Sequence, residues 1–155
     1  MPFTVTSPAF ADGQPVPESY TCDGNDAPPS IVIADPPEGT RSFAVIMDDP
    51  DAPAGTFTHW LAYDLPADGN ALQATAGKTL KNDFGRDGYG GPCPPHGHGS
   101  HRYFFMVYAV DVPRLDVPGT TRADLEAALQ GHTLGKAGFM GRYERASSDR
   151  HPKAV

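Results

Sequence analysis

The residues able to do chemistry fall into two clusters far apart in the chain. One is the acidic turn Asp48-Asp49-Pro50-Asp51, with His59 shortly after it; the other is Cys93-Pro94-Pro95-His96-Gly97-His98-Gly99-Ser100-His101. An imidazole beside a carboxylate is held in one orientation and can donate to an anion. A loop built from Gly and Pro has its path set by residue type, because Gly permits positive φ and Pro fixes φ. Such a loop can present backbone N–H groups and imidazoles as one concave, anion-sized array. Each cluster also has a plainer explanation. The acidic turn can spend its carboxylates on backbone N–H groups, and a strand histidine such as His59 is often a core hydrogen-bonding residue.

Other chemistries fit less well. His96, His98 and His101 with Cys93 invite zinc, but the spacing matches no common structural zinc pattern. Pro50 breaks the resemblance of Asp48-Asp49-Pro50-Asp51 to a calcium loop. Ser100 is only a sequence neighbour of His101, and G-x-S-x-G is absent. Gly88-Tyr89-Gly90-Gly91 has the spacing of neither a P-loop nor a dinucleotide fingerprint. No metal, cofactor or catalytic residue is assigned.

The composition bounds the rest. The 155 residues suit one domain over 1–155, with 39% apolar and 20% charged residues, as in ordinary globular proteins. Seventeen Gly and 17 Pro are spread between apolar runs, which argues for many turns joining short strands. A formal charge of -7 excludes a broad nucleic-acid face. No apolar run approaches the ~20 residues of a membrane span, and no signal peptide is visible, so a cytoplasmic protein is expected, without integral membrane association. In that compartment Cys22 and Cys93 are expected as thiols, although both lie beside glycine-rich turns that leave their spatial proximity open.

The elements must bring the clusters together. Ser42 to Met47 is a near-continuous apolar run, the mark of a strand buried on both faces, and it delivers the acidic turn. His59 to Leu65 and Phe104 to Val110 are further strands, as are Phe3 to Thr6, Tyr20 to Cys22 and Ser30 to Ile33. Asn70 to Gly77 reads as a helical turn within a loop from 66 to 90. Thr121 to Gln130 is a helix capped by Thr120 or Thr121 and ended by Gly131. Arg142 to Arg145 closes the sheet after a short stretch from His132, and 146–155 is a frayed tail. The fold class is mostly β.

Asp49-Pro50-Asp51-Ala52-Pro53, Thr58-His59-Trp60-Leu61, and Gly91-Pro92-Cys93-Pro94-Pro95 with Gly97-His98-Gly99-Ser100-His101-Arg102-Tyr103 resemble the phosphatidylethanolamine-binding protein family, in its bacterial Raf kinase inhibitor-like branch. Weaker similarity runs from Tyr20-Thr21-Cys22-Asp23-Gly24 to Gly141-Arg142-Tyr143-Glu144-Arg145. The resemblance implies a central antiparallel sheet, a second small sheet and one or two C-terminal helices. It implies a pocket at one sheet end for phosphate, acetate or a phosphoryl headgroup. Asp49, His59 and His101 would line it, Gly91 to Pro95 (Gly91 and Pro94 above all) would wall it, and Tyr103 would add a hydroxyl. Ala52–Pro53 matches the family's cis-proline position. The chain departs in having Trp60 as its only tryptophan, and in shortening the long C-terminal helix of the animal members.

The leading expectation is therefore a binder of a small anionic or phosphorylated ligand, held by two imidazoles and backbone amides. An inhibitor of a partner kinase or peptidase is the second reading, and a His/Asp acid–base lyase, isomerase or cyclase the third. A homodimer is compatible with all three.

Overall fold

The computed structural model describes residues 2–146. The expected tail, from 147 onward, lies outside them. Nine strands form two antiparallel sheets: β1 (Thr4–Thr6), β2 (Val32–Ala34), β3 (Ser42–Asp49), β4 (Phe57–Leu65), β5 (Ala67–Asp68), β6 (Ala71–Leu72), β7 (Lys78–Thr79), β8 (His101–Val110) and β9 (Thr133–Tyr143). The central sheet runs β7-β4-β3-β8-β9 and the smaller one β1-β2-β6-β5. Helix α1 (Arg122–Leu129) lies near the C-terminal end. The mostly-β expectation, with two sheets and a peripheral helix, is borne out.

The central strands are buried on both faces, as the apolar run at Ser42–Met47 requires. Phe43, Val45 and Met47 of β3 join Trp60, Tyr103, Phe105 and Val107 in a core shared with Val5 and Ile33 of the small sheet. Ala44 and Ile46 point the other way, toward Leu61, Leu125 and Leu129 under α1. This alternation is the period of two that a pleated strand imposes. The helix starts at N-cap Thr121, whose side chain accepts from the Asp124 N–H while Asp124 reaches back to the Thr121 backbone. That reciprocal cap satisfies two otherwise orphaned donors.

Three local expectations are corrected. The segment from Asn70 to Gly77 is not a helical turn: β5 and β6 pair as a hairpin, with Ala67 opposite Leu72, and Gly69 takes φ 62° at its tip. Tyr20–Cys22 is not a strand, because a 3-10 turn over Glu18–Tyr20 closes through Thr21. Strand β9 is far longer than the expected Arg142–Arg145. Gly135, Gly138 and Gly141 hide its pattern, yet a Cβ at Gly138 would strike Met106 and the Phe105 carbonyl, and one at Gly141 would strike Phe10 and Val16. Glycine inside a strand commonly marks such close approach.

Strand order converts sequence distance into proximity. β3 pairs with both β4 and β8, so Asp49 lies opposite Phe57 and Asp48 opposite Phe104. The end of β3 and the starts of β4 and β8 thus share one edge. The register of β3 and β4 shifts between Met47–Trp60 and Asp48–Thr58, which leaves His59 as the extra residue of a bulge. Bulges re-aim side chains.

Candidate functional site

Asp49 ends β3 in a turn that its own side chain shapes. Its Oδ1 accepts the Asp51 N–H at 2.8 Å, an Asx turn. Its Oδ2 accepts from His101 Nδ1 at 2.7 Å, and both residues are almost wholly buried. Asp51 clamps the same corner: its carboxylate takes the Arg102 backbone N–H and guanidinium, each at 2.9 Å. That Arg102 partnership holds the Asp51 carboxyl down at about 2. No cis peptide occurs among the described residues, so Ala52–Pro53 is trans. The Asx turn supplies the bend that a cis bond was expected to give.

His59 is fixed from the other side. Gly90 donates its N–H to the His59 carbonyl at 2.9 Å, and its carbonyl accepts from His59 Nδ1 at 2.7 Å. A carbonyl only accepts, so Nδ1 carries the proton and Nε2 is the uncommitted ring nitrogen. Burial pulls the His59 pKa below its usual value, while the Gly90 carbonyl and Asp49 pull it back up. Tyr103 lies beneath both rings, edge-on to His59 with centroids 5.2 Å apart and stacked on His101 at 6.4 Å. Its hydroxyl is buried and makes no hydrogen bond among the described residues. Burial, with the Asp49 carboxylate second, pushes the Tyr103 phenol well up.

Asp49, His59 and His101 line one cavity of about 180 Å³, with Pro94 in its wall. That is smaller than the roughly 300–1,000 Å³ of drug-sized sites and suits a small anion. Gly91 and Tyr103 stand behind the lining. The Gly91 N–H goes to Asp26 at 2.7 Å, and a Cβ there would run into the Tyr20 carbonyl and the Thr21 backbone. The Gly90 and Gly91 amides are committed and Pro92, Pro94 and Pro95 lack N–H groups, so the imidazoles face the cavity as its main polar groups, each donating from Nε2 only when the ring is protonated.

Sequence reasoning missed several liners. Phe57 and Phe84 line the cavity and pack on each other and on His59 at 4.7–5.2 Å. His98 is not among the liners, yet its Nδ1 lies 2.7 Å from His101 Nε2, a contact that zinc-ligand spacing gives no hint of. Cys93, within the expected Gly91 to Pro95 wall, does line the cavity, but it is not a thiol: it is bonded to Cys22. The tight packing of the Gly91 turn on Tyr20 and Thr21, with the Cys22 N–H on the Pro92 carbonyl at 3.1 Å, brings the two Cα atoms to 5.4 Å, within bridging range.

Residues 6–144 match the family model described as phosphatidylethanolamine-binding protein. A UPF0098 protein of Aquifex aeolicus is 50% identical over 150 residues, covering 91% of this chain and 88% of that protein. The crystal structure of Escherichia coli YbcL, described as a member of the mammalian PEBP family, superposes with TM-score 0.80 at 31% identity, over 92% of this chain and 98% of that one. The Chlamydia trachomatis homologue CT736 gives 0.79 at 34%, over 92% and 97%. Two Mycobacterium tuberculosis relatives bearing the name lipoprotein LppC are 35% identical over 147 residues, 92% of this chain and 73% and 71% of theirs. They overturn the expectation of a strictly cytoplasmic protein, and the disulfide agrees, since such bridges persist where the surroundings oxidise. No helix among the described residues is long and apolar enough to cross a membrane.

Proposed function

The chain belongs to the phosphatidylethanolamine-binding protein family, and on that premise we propose that the cavity at the Asp49 end of the sheet binds a small anion or the phosphoryl group of a headgroup. One observation carries this reading: the buried Asp49–His101 pair, at 2.7 Å, opens onto the same cavity as His59. Asp49 pins the His101 ring, and the Gly90 carbonyl pins that of His59, so both ring orientations are set before a ligand arrives, with His98 Nδ1 resting on His101 Nε2. Phe57 and Phe84 at the mouth, the latter 39% exposed, give apolar contact to the organic part of a headgroup. Cys93, spent in its disulfide, offers no thiolate nucleophile.

Calorimetric titration with inorganic phosphate and phosphoethanolamine tests this. Both should bind, and His59→Ala should weaken each by about tenfold or more, the weight of one charge-assisted hydrogen bond. Affinities untouched by His59→Ala, in a protein that keeps its fold, would remove the cavity from the account.

A further inference from the structure

The opposite end of the central sheet carries a cleft with charged walls. A cleft of about 560 Å³ opens beside Ser42, where β3 begins, lined by Arg41, Lys78 and Arg114 together with Asp64. Three cations converge here on a molecule whose formal charge is -7.

The arginines are the telling part. Arg86 is spent on Asp26, Arg102 on Asp51 and Arg122 on Asp48. Arg142 donates to the Gly13 carbonyl, and Arg145 to that of Pro94. Among the described residues, only Arg41 and Arg114 make no hydrogen bond or ion pair through their guanidinium groups, and both face the same cleft. A guanidinium presents a rigid fork of donors that matches phosphate and carboxylate.

The walls are fixed in advance. Buried Ser42 donates its hydroxyl to the Val112 carbonyl at 2.6 Å. Asp64, at φ 57°, accepts the Leu115 N–H on Oδ1 at 2.8 Å. These two bonds bracket Arg114 and hold its loop against the sheet. Lys78 lies 3.8 Å from Asp64 Oδ2, an atom buried without a hydrogen bond. That pair is neutral overall, so the cleft keeps the two positive charges of Arg41 and Arg114. Asp35 lines an adjoining cavity that shares Arg41 and restricts how far an anion can extend that way.

We propose that this cleft, at the Ser42 end of β3, binds a small multiply charged anion carrying phosphate or carboxylate groups, with Arg41 and Arg114 as its ligands. Seven residue steps separate Ser42 from Asp49, about 23 Å along an extended strand. That exceeds the ~8 Å screening length of physiological salt, so the two ends bind independently, and the proposal stands apart from the function assigned to the His59 cavity.

Titration of inorganic pyrophosphate, and separately citrate, into the full chain, followed by backbone amide shifts, provides the test. The expected result is saturable shifts at Ser42, Lys78 and Arg114 with at least one of the two probes. Arg41→Gln and Arg114→Gln should each weaken them by about tenfold, while His59→Ala leaves them unchanged. Both arginines are exposed, so the variants should keep the wild-type spectrum elsewhere. Shifts confined to the Asp49 end, shifts that survive both substitutions, or no saturable shifts with either probe would overturn the proposal. Response to pyrophosphate alone would identify the ligand as phosphorylated, and to citrate alone as a carboxylate.

Discussion

His98 Nδ1 sits 2.7 Å from His101 Nε2, so the outward nitrogen of the buried Asp49–His101 pair is already occupied. One proton lies between the two rings, and an anion reaching His101 must displace the exposed His98. His98→Ala should therefore tighten phosphate binding by about two- to tenfold, the worth of one net hydrogen bond. Calorimetry on that variant decides it; weaker binding would make His98 a ligand instead of a competitor.

His59 sets a pH dependence with a definite sign. Its pKa is depressed in the folded protein, mainly by burial, so below about 6.5 the unfolded chain takes up the proton more readily. The stability from a neutral His59 is present above that pH and is lost as pH falls toward the folded value, by at most ~1.4 kcal/mol per unit. Urea melts between pH 7.5 and 5 should show this slope, and His59→Gln should flatten it. Sulfate, which brings no proton of its own at these pH values, should bind more tightly as pH falls.

The Cys22–Cys93 bridge spans a sequence separation of 71. Loop-closure entropy then gives about 4 kcal/mol, or a fall of about 10 °C in Tm on reduction for a chain of this size. A scan with and without reductant measures it. An unshifted Tm would mean that the reduced chain holds the same corner without the bond.

Gly91→Ala should hurt stability and binding together. The added Cβ meets the backbone of Tyr20 and Thr21, which cannot swing aside, as well as the Asp26 carboxylate that accepts the Gly91 N–H, an overpacking of about 1–3 kcal/mol. The Cys93–Pro94 wall must shift with it. Loss of stability with phosphate affinity intact would separate that wall from the cavity.

These outcomes also mark what the sequence could and could not carry. The family resemblance singled out Asp49, His59 and His101, and the strand ends at Pro50 and at the Gly-Pro loop made their convergence on one cavity foreseeable. The partner of each side chain was not, since Gly90 lies 31 residues from His59 and Asp49 lies 52 from His101. Only the register of β3 with β4 and β8 brings them together. The disulfide was hidden by the expected reducing compartment, which outweighed the nearness of two glycine turns. Strand β9 was hidden because its glycines carry no apolar alternation, although close packing is what requires them.

The most direct measurement is a crystal structure of the protein grown with inorganic phosphate. The account predicts one phosphate in the cavity, its oxygens about 3 Å from His59 Nε2 and His101 Nε2, with His98 turned away. An empty cavity, or phosphate bound elsewhere while His98 still covers His101, would contradict it.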